Sequence, residues 1–133
     1  MSTLARRLGL PGLVARWVHT GAANPAVKVM SVVMGMIAGA TNIDSMDRLR
    51  SGSTSKVLGF RPLAPSTLGT FLRTFTFGHV RQLDAVCSRL LANAWAAGAG
   101  PGEGEDLVVD LDSSVAEVYG KAKQGASYGY TGV

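Results

Sequence analysis

Residues 107–114 read Leu-Val-Val-Asp-Leu-Asp-Ser-Ser, and the carboxylates at positions 110 and 112 are where chemistry is most legible in the chain. Leu107, Val108, Val109 and Leu111 bracket Asp110, so the pattern predicts a buried strand that delivers Asp110 and Asp112 to its exit. Alternation along a strand puts both side chains on one face. Like charges about 7 Å apart repel unless a cation lies between them or one is protonated. A divalent metal satisfies that arrangement. Asp110 and Asp112 are therefore the candidate catalytic and metal-binding pair.

The elements that would have to position this pair come from the rest of the 133 residues, one domain's worth of chain with 47% apolar and 17% charged composition. Charge is divided unevenly along it. Residues 1–101 carry 11 Lys/Arg against 3 Asp/Glu, whereas residues 102–133 carry 2 against 6. A basic front suits a polyanionic partner, and an acidic back supplies carboxylates for a metal. A single cysteine, Cys87, excludes an internal disulfide and a cysteine-rich zinc site, and its apolar neighbours predict core packing. No secretory signal follows Arg6 and Arg7. The longest apolar stretch, residues 29–40, falls short of the roughly 17 to 25 residues that span a bilayer. A cytoplasmic chain with no membrane partner is expected.

The period of the apolar residues is helical over most of the first hundred positions. Residues 3–19 predict a short basic helix broken at Gly9, Pro11 and Gly12, with Leu4, Leu8, Leu13, Val14 and Trp17 apolar. Asn24 as cap and Pro25 in the first turn open a helix over 25–40 that is apolar on more than one face and so central to the core. A short helix over 43–51 follows, with Arg48 and Arg50 near its end, then a brief segment over 54–59 carrying Lys56, with Val57 and Leu58 as buried candidates. Pro62 and Pro65 prevent one long helix across this junction. Ser66 then caps a helix over 67–75 that turns Leu68, Phe71, Leu72 and Phe75 inward and Thr67, Thr70, Arg73 and Thr74 outward. A long helix over 77–97 carries Arg81 and has His79 near its start, where a surface or capping role is expected.

Two short helices, a Pro-Ser junction and a polar-faced third helix have the outline of a helix-turn-helix unit. In that reading Arg48, Arg50, Lys56, Thr67, Thr70, Arg73 and Arg81 are the candidate DNA-binding residues, with phosphate contacts supplying salt-dependent affinity. Residues 98–106 are glycine-rich and predict a flexible linker; no Gly-Lys-Ser/Thr follows, so it is not a phosphate loop.

Three chemistries compete for the carboxylate pair. A calcium loop of the EF-hand type needs Gly at its sixth position and Glu at its twelfth, where Val115 and Lys121 stand. A haloacid-dehalogenase-like phosphatase would use Asp110 as nucleophile and Asp112 as general acid, but that reading demands a long α/β domain and 21 residues remain after Asp112. The third is a two-metal nuclease or strand transferase of the RNase H type. Ala-Pro-Ser-Thr-Leu-Gly-Thr-Phe-Leu-Arg and Phe-Gly-His-Val-Arg-Gln-Leu-Asp within residues 64–84, then Val-Asp-Leu-Asp-Ser-Ser, Val-Tyr-Gly and Lys-Gln-Gly-Ala-Ser-Tyr-Gly-Tyr, resemble the amino-terminal third of bacterial insertion-sequence transposases with a DDE domain of group 1.

The resemblance implies a helical DNA-binding region over 1–97, the linker 98–106, and over 107–133 the first β-hairpin of an incomplete RNase H-like α/β domain, so the chain as a whole is mainly α. It implies DNA terminal repeats as partner, self-association in a transposition complex, a nucleoid-associated location, and Mg²⁺ held by Asp, Asp and Glu. Asp112, followed by Ser113 and Ser114, matches the first of those ligands, with Asp110 beside it; Lys121, Lys123, Tyr128 and Tyr130 stand in the following loop. The second Asp and the Glu are missing from the chain, so a truncated amino-terminal fragment without transposition activity of its own is expected. A helical relic with no function is the bland alternative.

Overall fold

In the computed structural model, residues 2–102 and 104–110 are described, and they divide into two units at the Gly100–Pro101 bond. Helices make up the first unit: α1 (Ser2–Arg7), α2 (Leu10–Trp17), α3 (Pro25–Ile37), a 3-10 helix (Asp44–Arg50), α4 (Thr54–Leu58), α5 (Pro65–Arg73) and α6 (Phe77–Ala94), which runs into a π-helical turn, Trp95–Ala99. No helix among the described residues is long and apolar enough to cross a membrane.

Local sequence explains where the helices start and stop. The predicted break in the first helix falls at Gly9, whose φ of 83° lies in the left-handed region that a residue with a Cβ enters at a cost. Pro11 is accommodated because it falls in the first turn of α2, where its missing N–H has no partner to lose. At the end of α3, Gly39 is left-handed and the Ala40 N–H reaches back to the Gly35 carbonyl at 2.9 Å, a glycine-based C-terminal cap that stops the helix three residues before the predicted limit. Two expected caps are corrected. Asn24 precedes α3 but sits at φ 51° and makes no side-chain cap bond; Pro25, with φ set by its ring, starts the helix. Ser66 lies inside α5, which begins at Pro65 after an extended Ala64.

The core forms where α2 lies against both α3 and α6. Leu10, Val14 and Val18 from α2 and the residue after it meet Met30 and Met34 from α3 and Val86 from α6, and Leu49 of the 3-10 helix closes the cluster. Two methionines at this junction fill space that branched side chains would leave open. The α3 helix extends the packing outward, touching the 3-10 helix and α5, while α4 rests on the 3-10 helix.

Ser31 ties this second layer together. It is fully buried in α3, where its hydroxyl donates to the Val27 carbonyl at 2.8 Å and accepts the Leu63 N–H at 3.2 Å. That second bond holds the segment entering α5 against α3. Ser31→Ala leaves the Leu63 N–H without its partner and is expected to lower unfolding stability by about 1 to 2 kcal/mol in urea titration.

Joining α6 to the end of α2 is a second polar tie. The Thr76 N–H donates to Nδ1 of His79 at 3.0 Å, which leaves the proton on Nε2 to be donated to the His19 carbonyl at 3.1 Å. Gln82 accepts the His19 N–H at 2.7 Å. His79 thus caps α6, as its position predicts, and also anchors a loop 60 residues away. Removing it in His79→Ala is expected to cost about 1 to 2 kcal/mol, read as a lower urea midpoint.

Several apolar positions depart from expectation. Val57 is 83% exposed because α4 has a single turn and only one side of it can face the 3-10 helix. Cys87 is exposed, since it falls on the outward side of α6 while Leu83, Val86 and Leu90 face the core. Of the expected β-hairpin, only residues 107–110 are described; they carry no strand, and Leu107, Val108 and Val109 are exposed. A strand is held by ladder hydrogen bonds and a covered face, and these residues have neither among those described. The rest of the hairpin, with Asp112, Lys121, Lys123, Tyr128 and Tyr130, lies outside the described residues.

Candidate nucleic-acid interface

The polar face with the firmest support underneath it is that of α5. Pro65 supplies a helical φ at the first position, Leu68 and Phe71 are buried one turn apart, and Gly69 is buried beside them. Phe71 meets the edge of Phe75 at 5.1 Å between ring centroids, an arrangement that aromatic quadrupoles favour. With one side fixed, Thr67, Thr70 and Arg73 are turned to solvent at a spacing of three residues, as the sequence predicts. Leu72, predicted inward, is instead 41% exposed.

Two clefts flank this row. The first lies between α5 and the 3-10 helix and is lined by Asp44, Asp47 and Arg50 on one side and Ser66, Gly69 and Arg73 on the other. Within it Arg50 is bound to Asp47 at 2.7 Å, so part of its charge is already compensated. Arg73 reaches back along its own helix to the Thr70 hydroxyl at 3.3 Å and carries no ion pair among the described residues. The second cleft lies between α5 and α3, lined by Lys28, Ser66, Thr67, Thr70, Phe71 and Thr74.

The candidate residues are therefore sorted by the fold. Arg50, Thr67, Thr70 and Arg73 come together around α5. Arg48 lines a different depression, with Gly35, Ala38 and Ala40 at the end of α3. Lys56 is exposed on α4. Arg81 belongs to α6, where its guanidinium lies 5.8 Å from the centroid of the Phe77 ring.

Sequence reasoning passed over Lys28. Its ammonium stands 5.4 Å from the Phe71 ring centroid, at the edge of the polar row. A signal existed, because Lys28 is the only charged residue among the thirteen of α3. A cation in an otherwise apolar helix marks the rim where that helix meets water.

The expected metal pair fares differently. Asp110 is exposed on an irregular segment, and Asp112 lies outside the described residues. Among the described residues no three His, Cys, Asp or Glu side chains gather to hold an ion. Nearby Glu105 accepts the Gly102 N–H at 2.8 Å and so serves a local turn. Mg²⁺ asks for several oxygens in near-octahedral array. The described carboxylates do not supply that array. No family model, curated protein or solved structure matches this chain.

Proposed function

We propose that the helical unit binds duplex DNA, with the 3-10 helix, α4 and α5 acting as a helix-turn-helix-like unit and α5 as the element presented to the double helix. The observation that carries this reading is the solvent-facing row Thr67, Thr70 and Arg73 on a helix anchored by Leu68 and Phe71. Hydroxyl and guanidinium donors on a rigid helix suit phosphate oxygens and base edges. The excess of 11 Lys/Arg over 3 Asp/Glu in residues 1–101 supplies the long-range attraction. In this reading the chain is the DNA-recognition part of an insertion-sequence transposase of the DDE type, and Asp110 and Asp112 belong to its catalytic part, which would use Mg²⁺.

Titration of a fluorescein-labelled duplex followed by anisotropy tests the reading. Binding should weaken linearly in log K against log [NaCl], and Arg73→Ala should lower affinity about tenfold at 0.1 M salt, the loss expected for one phosphate contact. No binding at 50 mM NaCl, or binding indifferent to salt, would overturn it.

A further inference from the structure

We propose that the cleft between α3 and α5 is a seat for a single phosphodiester group of the nucleic-acid backbone, with the Lys28 ammonium as its charge and the Ser66 and Thr67 hydroxyls as its further donors. This rests on the DNA-binding reading and names the place where the backbone is gripped. It also transfers to Lys28 a role that the sequence assigns to Arg50.

The two clefts beside α5 differ in net charge, and that difference decides which one an anion enters. On the Arg50 side, two carboxylates, Asp44 and Asp47, stand with two guanidinium groups, and Arg50 is already held by Asp47 at 2.7 Å. A phosphate held by Arg50 would displace Asp47 from its partner and face Asp44, an opposition that does not apply to Arg73, which carries no ion pair among the described residues. On the Lys28 side, Lys28 is the only charged residue of the lining. It makes no ion pair among the described residues, so its charge is uncompensated.

The geometry also limits where that charge can go. Phe71 is 2% exposed and cannot move without disturbing the core, and a cation over its ring is attracted to the electron-rich face. This keeps the flexible lysine stem near the cleft. Of the four hydroxyls in the lining, two are committed as donors: Thr70 to the Ser66 carbonyl at 3.0 Å and Thr74 to the Phe71 carbonyl at 2.7 Å. Ser66 and Thr67 have no such bond among the described residues and are free to donate outward. An ammonium and two hydroxyls lining one cleft from two helices suit a tetrahedral group with several acceptor oxygens better than a planar carboxylate, which would use fewer of the donors.

Two measurements on the full chain test the seat. In the first, duplex affinity is followed against NaCl concentration for the wild type, Lys28→Gln, Lys28→Arg and Arg16→Gln, the last an exposed cation outside the α5 interface, each checked for fold by circular dichroism. Lys28→Gln should flatten the log–log slope by about 0.9 and weaken binding about tenfold at 0.1 M salt, Lys28→Arg should restore both, and Arg16→Gln should leave the slope unchanged. In the second, inorganic phosphate is titrated into ¹⁵N-labelled protein, with acetate as the carboxylate control. Saturable shifts at Ser66 and Thr67 that are stronger for phosphate and absent in Lys28→Gln are expected. A wild type that binds duplex with a slope unchanged by Lys28→Gln overturns the seat and leaves DNA binding standing. Phosphate shifts at Thr67 without duplex binding keep the seat and overturn the DNA reading. Neither duplex binding nor phosphate shifts overturns both.

Discussion

Phe71→Ala should bring the helical unit to the edge of unfolding. Phe71 is 2% exposed and has the largest side chain of those fully enclosed, packed edge-on against Phe75 on a helix that touches both α3 and the 3-10 helix. Truncating such a side chain costs about 3 to 5 kcal/mol, the transfer of the ring plus the cavity left behind. Domains of this size hold about 5 to 15 kcal/mol in all. Urea titration followed by far-ultraviolet circular dichroism should show a large fall in midpoint with the slope preserved. Phe71→Leu keeps most of the volume and should cost about 1 kcal/mol. The consequence reaches function, because Thr67, Thr70 and Arg73 share a helix with Phe71 and lose their common orientation when it detaches.

Arg73→Glu should have the largest effect on DNA affinity of any single exposed change. In the proposed binding mode the substitution removes one phosphate contact and sets a carboxylate in its place, beside a cleft that already holds Asp44 and Asp47. Loss of the contact is worth about tenfold at 0.1 M salt, and the repulsion adds a comparable factor, for about a hundredfold in total. Arg81→Glu is the instructive comparison. Arg81 sits on α6 beside Phe77, apart from the α5 row, and its reversal should act only through the general charge, within about tenfold.

Helix content was readable because periodicity and punctuation agreed. Pro25 and Pro65 open helices where an N-terminal proline belongs, Gly9 and Gly39 break or end them, and Val14, Met30 and Val86 fall on the faces that meet. The errors share a physical cause, which is that burial depends on neighbours that a local pattern does not contain. Cys87 has the same apolar surroundings in sequence as Val86, but one step along a helix turns it about 100° and out of the core. Residues 107–109 are apolar enough for a strand but are exposed, and the rest of the expected hairpin lies outside the described residues.

The candidate interface was half legible. Thr67, Thr70 and Arg73 follow from the period of α5 alone, since fixing Leu68 and Phe71 inward leaves no other side for them. What periodicity does not report is distance between elements. Arg48 and Arg50 are neighbours in sequence and line different depressions, while Lys28, more than 35 positions from Thr67, shares a cleft with it. The acidic partner that neutralises Arg50 was likewise visible as Asp47 three residues earlier, a spacing that brings side chains together on one helix face.

The central claim is that α5 is the surface DNA touches, and amide chemical-shift mapping of the ¹⁵N-labelled chain with a short duplex at 50 mM NaCl tests it most directly. The account predicts the largest shifts at Thr67, Thr70 and Arg73, with Lys28 following across the cleft. Shifts centred instead on Arg6, Arg7 and Arg16, or on α6 around Arg81 and Arg89, with α5 unmoved, would contradict it.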